Sequence, residues 1–357
     1  MFAIRSIQPV ILAALLGGAI HAKADAQGLA LQPPTPHARV VTVQDPRAST
    51  AFKPDARVVQ DMLNRGLTNL TGQASVAAAW AGLIGSNEVV GIKVYSAPGR
   101  ETGTHPEVVA AVINGLLSAG IPARHIIVWD HQEADLRRAG FFALTNQFGV
   151  RVAGAAEAGY DEKTFYETAL IGNLVYGDLE FGKHGEGVGR KSFVSKLVSQ
   201  QITRIINVAP VLNQNGAGVA GNLFSLALGS VDNSLRFDSV ARLSVAVPEI
   251  YALPALSDKV ALNITDALIC QYEGGERGLL HYSVVLNEIR LSRDPVALDV
   301  LALQDLERSR HANAPGEPPV ATELYKNAAL LELGTADPAR IDVTTLRPPP
   351  HSETTTR

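Results

Sequence analysis

The chain has 357 residues, 46% hydrophobic and 18% charged, with a formal net charge of −4. That length suits one large α/β domain or two intimately joined ones. The small, dispersed negative charge argues against nucleic acid and anionic membrane as partners, since both select a basic face. Cys270 is the only cysteine, which excludes an intramolecular disulfide and any cysteine-ligated iron–sulfur cluster built from this chain alone.

Arg5, an apolar stretch from Pro9 to Ile20 and small residues ending at Ala26 follow the order of a secretory signal peptide cleaved after Ala26. The apolar stretch is too short to span a bilayer comfortably, and no later segment reaches about 18 uninterrupted apolar residues. The mature chain is therefore expected to be exported, periplasmic or secreted, without a stable membrane anchor. Residues 27–37, with Pro33-Pro34-Thr35-Pro36, read as an extended leader.

Ala38 to Val43 is rich in β-branched residues and reads as a strand stopped by Asp45-Pro46. Asp55 to Leu70 places Val58, Val59, Met62, Leu63 and Leu67 at helical spacing, and Ala74 to Ile84 reads as a second short helix. Val89 to Tyr95 is a buried strand followed by a polar loop, Ser96 to Gly103. Thr104 and Glu107 have the spacing of a capping box, predicting a helix from there to Gly120. With the strand His125 to Trp129, these elements make a βαβ unit and imply parallel pairing.

Gln132 to Ala139 reads as a helix and Val150 to Ala153 as a strand. Residues 161–191 are glycine-rich with scattered aromatics, which suggests an irregular insertion. Further along, helices are expected over Ser192–Gln201, Val219–Leu228, Glu249–Leu256 and Val320–Leu333, and strands over Thr203–Val208, Val260–Asp266, Val284–Leu291 and Ile341–Thr345. Asp294 followed by Pro295 marks the start of another helix. The resulting map has a signal at 1–26, a leader at 27–37, an α/β domain at 38–311 and a C-terminal helix and strand at 312–345. Residues 346–357 are expected to form a disordered tail. The fold class is α/β, a mostly parallel sheet with helices on both faces plus the irregular insertion.

Several of these segments, taken together, resemble the domain of unknown function 362 family: Val90-Gly91-Ile92-Lys93-Val94, Thr104-His105-Pro106-Glu107, Ile205-Ile206-Asn207-Val208, Gly216-Ala217-Gly218-Val219, Leu228-Gly229-Ser230-Val231-Asp232-Asn233 and Asp294-Pro295-Val296-Ala297-Leu298-Asp299. The resemblance implies kinship with a family in which some members are fused to ferredoxin-like iron–sulfur modules and others are exported without them. This chain is similar to the second kind. Where members commonly carry Lys-Asp-His, it has Asn213-Gln214-Asn215, and where they carry Lys-Asn it has Phe224-Ser225.

Ligands of open parallel sheets gather where loops leave the carboxyl ends of strands. Candidate contacts on that reasoning are Lys93, Arg100 and His105 after one strand, Asp130 after a second, and Asp266 after a fourth. The run Asn213, Asn215, Gly216, Gly218 and Asn222 follows the third, its amides able to donate and accept and its glycines leaving backbone N–H groups open. An ammonium at Lys93, inside an apolar strand, requires a specific partner such as Asp130. No nucleophile elbow, clustered histidines or phosphate loop is present, and the sequence identifies no cofactor or metal. The expected function is binding of a small polar or anionic ligand at the strand ends. Two alternatives are a redox-linked or metal-assisted enzyme using Lys93, Asp130 and Asp266, and a noncatalytic partner protein that docks through the insertion.

Overall fold

The computed structural model describes residues 37–172, 181–182, 185, 188–313 and 320–348. The expected signal and most of the leader, part of the insertion, the segment 314–319 and the end of the tail lie outside these residues.

Strand β1 (Ala38–Gln44) leads through a small hairpin, β2 (Ser49–Thr50) and β3 (Lys53–Pro54), into helix α1 (Ala56–Thr71). The Asp55 carboxylate accepts from Arg57 N and Val58 N at one end, and Gly72, at φ 69°, closes the other. Where α1 crosses the sheet the residue is Gly66, since a Cβ there would stand 2.5 Å from Leu291 Cδ1. Next come α2 (Val76–Ala81), β4 (Val90–Lys93), α3 (Pro106–Ser118), β5 (Ile126–Asp130), α4 (Glu133–Arg138), α5 (Ala143–Phe148) and β6 (Arg151–Gly154).

Strands β7 (Tyr160–Glu167), within the expected insertion, and β8 (Lys191–Ser195), at its end, pair antiparallel. The expected helix over Ser192–Gln201 is therefore corrected. Its first half joins β8, because Phe193 N donates to Asp232 Oδ1 and Val194 bridges Val231, leaving only a π-helical turn over Leu197–Gln201. The chain continues through β9 (Arg204–Gln214), β10 (Gly218–Val219), α6 (Asn222–Gly229) and α7 (Val240–Tyr251). It ends with β11 (Val260–Gln271), β12 (Ser283–Ser292), α8 (Pro295–Asn313), α9 (Glu323–Leu330) and β13 (Ile341–Leu346).

Helix α7 replaces the helix expected over Glu249–Leu256. This helix runs through Pro248. The Ser244 carbonyl that Pro248 cannot bond accepts instead from Asn327 Nδ2 at 2.8 Å.

The main sheet has the order β13-β1-β12-β11-β9-β4-β5-β6, with β10 paired to β9. Every neighbouring pair along that order is parallel except those of β12 with β1 and β11. Helices α1 to α5 pack one face, against residues such as Ile92, Val128, Ile206 and Ile264. Helices α6 to α9 pack the other, over Trp129 and Ile205. From β4 the chain winds outward to β5 and β6, then returns to β9 and β11 on the opposite side. The winding direction thus reverses between β4 and β9, the topological switch point of this sheet.

Both central strands outrun their expected ends. Pro210 lies inside β9, where it has no N–H to give a neighbour. Strand β11 compensates with a register shift: Asp266 pairs with Pro210 and Cys270 with Val211, so residues 267–269 bulge out. Such a bulge re-aims the side chain beside it, here Asp266.

Candidate functional site

Lys93, Asn207, Asn263 and Ser292 stand in register on β4, β9, β11 and β12, forming a polar row across an otherwise apolar sheet. All four are buried, and α6 lies over the row. Asn207 Nδ2 donates to the Asn222 carbonyl at 2.8 Å, and Asn222 Nδ2 donates to Thr265 Oγ1 and Asp299 Oδ1, both at 3.1 Å. Asp299, from α8, also accepts from Asn222 N at 2.6 Å and Leu223 N at 2.9 Å. Its carboxylate thereby occupies the N-terminus of α6, a place where an anion would otherwise be favoured. Gly221 is required there, because a Cβ would stand 2.3 Å from Asp299 Oδ1. Burial pushes the Asp299 carboxyl up to about 7 against those three donors.

The Lys93 ammonium is 0% exposed and donates all three of its protons: to the Val94 carbonyl at 2.6 Å, Asp130 Oδ1 at 2.8 Å and Ser225 Oγ at 2.9 Å. Asp130 Oδ2 in turn accepts from Ser96 N and Ser96 Oγ. Burial works against both charges. It drives the Lys93 value down, with Asp130 opposing. It would likewise raise Asp130, but the Lys93 ammonium and the Ser96 donors outweigh it and hold the carboxyl below its ordinary range. With every proton placed, this ammonium pins β4, β5 and α6 together. Gly229 permits the approach of α6, since a Cβ there would lie 2.5 Å from Lys93 Cε.

Thr104 is not the cap of α3. Its hydroxyl accepts from Tyr95 N at 2.9 Å and donates to the Val208 carbonyl at 2.8 Å, tying the loop across β4 and β9, while His105 takes the N-cap position without a side-chain cap bond. The capping box gives way to tertiary bonds, and Glu107 turns to Arg100 instead. The α3 N-terminus is served from β11: Asp266 Oδ2 lies 2.8 Å from both His105 N and His105 Nδ1. The other ring nitrogen, Nε2, is buried and makes no hydrogen bond of acceptable geometry. Burial alone would lower the His105 value, but the Asp266 carboxylate outweighs it and the Glu101 carbonyl adds to the effect, leaving the imidazole above its usual 6.5.

The Asn/Gly run has a different use from an open ligand loop. Asn213 lies in β9 and accepts from Gly275 N at 3.0 Å. Gln214 Oε1 accepts from Gly216 N and Ala217 N, closing a turn back into β10. Asn215 is exposed at its tip, Gly216 abuts Leu243, and Gly218, at φ +89°, packs under Val320 and Leu303. Arg100 is exposed and paired with Glu107, away from the buried groups. Of the expected residues, Lys93 joins Asp130, His105 joins Asp266, Asn222 faces inward, and Asn213 meets the loop after β11. Ser96, Asn207, Ser225, Asn263 and Asp299 belong to the same network. For Asn207 and Asn263, as for Lys93, the signal in sequence is a polar residue interrupting an apolar strand at matching depth, in Ile-Ile-Asn-Val, Ala-Leu-Asn-Ile and Val-Gly-Ile-Lys; Ser96, Ser225 and Asp299, in a loop and two helices, carry no such signal.

Among the described residues, no three His, Cys, Asp or Glu side chains converge to hold a metal ion. None of their helices is long and apolar enough to cross a membrane. Cys270 is buried, and burial pushes its thiol up to about 12. An open depression of about 550 Å³ beside α4, lined by Glu133, Ala134, Arg137, Arg138 and Glu157, contains none of the expected site residues.

Fold and site together define a doubly wound α/β domain with a buried polar centre at its switch point. Residues 90–304 match the model of the domain of unknown function 362 family (DUF362), and the chain belongs to that family. No curated protein matches the sequence. One similar solved structure is a Thermotoga maritima protein determined as a structural-genomics target, at a TM-score of 0.38 and 12% identity over 79% of this chain. The match covers 60% of that protein.

Proposed function

We propose that this chain is an exported binding protein that holds a small polar ligand at the carboxyl ends of β5, β4, β9 and β11. The observation that carries the reading is the buried His105–Asp266 pair, whose ring is fixed through Nδ1 by Asp266 while Nε2, beside the Glu101 carbonyl, makes no hydrogen bond of acceptable geometry. Buried polar atoms are ordinarily well satisfied, and a poorly satisfied one at the strand ends favours a ligand there. The three features that would attract an anion are already neutralised within the chain: Lys93 by Asp130, and the N-termini of α3 and α6 by Asp266 and Asp299. This favours an uncharged polar ligand over an anion. Native mass spectrometry of the protein purified from its own periplasm, with elemental analysis, tests the proposal. A retained small molecule that disappears in His105→Gln supports it, and a bare chain in both forms sinks it.

The same pair favours a second reading, a proton-transfer enzyme, because a carboxylate-oriented imidazole is the usual arrangement for general acid–base work. That reading expects Asp266→Asn to abolish turnover of the retained molecule while leaving it bound.

A further inference from the structure

We propose that β13 is a docking edge for a second copy of this chain, the two strands pairing antiparallel about a two-fold axis at Thr344 so that the sheet continues from one copy into the other. The inference stands apart from the ligand reading above. Strand β13 closes one side of the main sheet. It pairs with β1 over its whole length, from Ala38 with Ile341 to Val43 with Leu346, and among the described residues no strand pairs with its outer side. Asp342, Val343, Thr344 and Thr345 are all exposed, Val343 at 45%.

Edges of this kind are usually blunted by proline, lysine, a bulge or brevity. Strand β13 shows none of these: Ile341-Asp342-Val343-Thr344-Thr345-Leu346 is rich in β-branched residues and pairs with β1 in unbroken register. The opposite edge, β6, has only 4 residues and opens with Arg151, which is tied to Gln201.

Charge and chain direction select the occupant. Antiparallel pairing sets the start of one strand beside the end of the other, so exposed Asp342 comes next to exposed Arg347 of the second copy. With Thr344 opposite its own equivalent, Val343 meets Thr345, Asp342 meets Leu346 and Ile341 meets Arg347, and no two like charges face each other. Parallel pairing in matched register would set Asp342 against Asp342 instead. The chain's own flanks are poor substitutes, since Pro348-Pro349-Pro350 follows β13, Pro33-Pro34-Thr35-Pro36 precedes β1, and proline gives a ladder no N–H. Two such strand edges bury less than the roughly 1,200 Å² of a standard interface, so the dimer is weak, with a Kd in the micromolar range.

Sedimentation velocity of the full chain over a concentration series tests the proposal. The expected result is a reversible monomer–dimer equilibrium that Thr344→Lys, which sets two ammonium groups opposite each other, weakens roughly five- to tenfold. Thr344→Cys gives a second readout that does not depend on how the lysine variant folds. Directly opposed Cα atoms lie about 4.5–5.5 Å apart, within disulfide reach, so mild oxidation should link two copies. Ala134→Cys, exposed on α4, should give no such link. A chain that stays monomeric up to about 1 mM, a dimer that Thr344→Lys leaves unchanged, or species that grow past the dimer into open-ended chains would each overturn the proposal. So would a dimer that forms only when the residues after Pro348 are removed, because the chain's own tail would then be the occupant of this edge.

Discussion

Replacing Lys93 by Met keeps the length of the side chain and removes its charge from a point where three elements meet. The Asp130 carboxylate would then remain buried with only the two Ser96 donors. Breaking one side of a buried pair costs roughly 3–5 kcal/mol. At about 2 °C per kcal/mol for a chain of this size, that is a fall in Tm of roughly 6–10 °C. The pH dependence sharpens the test. In the native chain Asp130 is held below 3.8, so its contribution is present above that value and is lost as pH falls toward the folded value. In the variant burial is opposed only by Ser96, the carboxyl value rises, and protonation relieves the strain. The deficit should therefore be largest near pH 7 and shrink toward pH 4. Urea denaturation followed by circular dichroism at both pH values measures it. A loss below about 1 kcal/mol at pH 7, or a deficit that grows on acidification, would refute the account of Lys93 as a fully engaged ammonium.

Three further outcomes follow from the same geometry. Asp266→Asn leaves burial of His105 opposed by far weaker neighbours, so its value should drop from above 6.5 to below it; an NMR titration reading no change would break the His105–Asp266 argument. Gly229→Ala places a methyl against Lys93 Cε and should cost about 1–3 kcal/mol in chemical denaturation, with Gly82→Ala, at an open helix end, as a mild comparison. Asp299 has a folded value of about 7 against an ordinary 3.8, so its stabilising contribution is complete below about 3.8 and is lost as pH rises through about 7. Asp299→Asn should remove that part of the downward slope, and stability profiles that run parallel across this range would contradict it.

The fold was largely legible because its elements carry local signals. Asp55 and Gly72 bracket α1, Asp294 and Pro295 start α8, and the apolar runs of β4, β5 and β11 announce buried parallel strands. The site was legible in part. Lys93 demanded a partner from its setting alone, and Asp130 is that partner. A signal misled where long-range bonds outbid a local one, at Thr104, drawn from its expected cap by Val208 and Tyr95. The run after β9 reads as an open ligand loop, yet Gln214 takes the N–H groups of Gly216 and Ala217.

By itself the sequence determined the α/β class, the parallel βαβ unit and the presence of charged and amide groups inside apolar strands. These depend on side-chain periodicity and on the cost of burying a polar group, both written along the chain. Only the tertiary structure decided which groups meet. Strand order and register align Lys93, Asn207 and Asn263 in one row, and the bulge opposite Pro210 turns Asp266 toward His105. Pairing between residues some 160 positions apart leaves no local mark, because it is fixed by how strands stack rather than by what neighbours what in sequence.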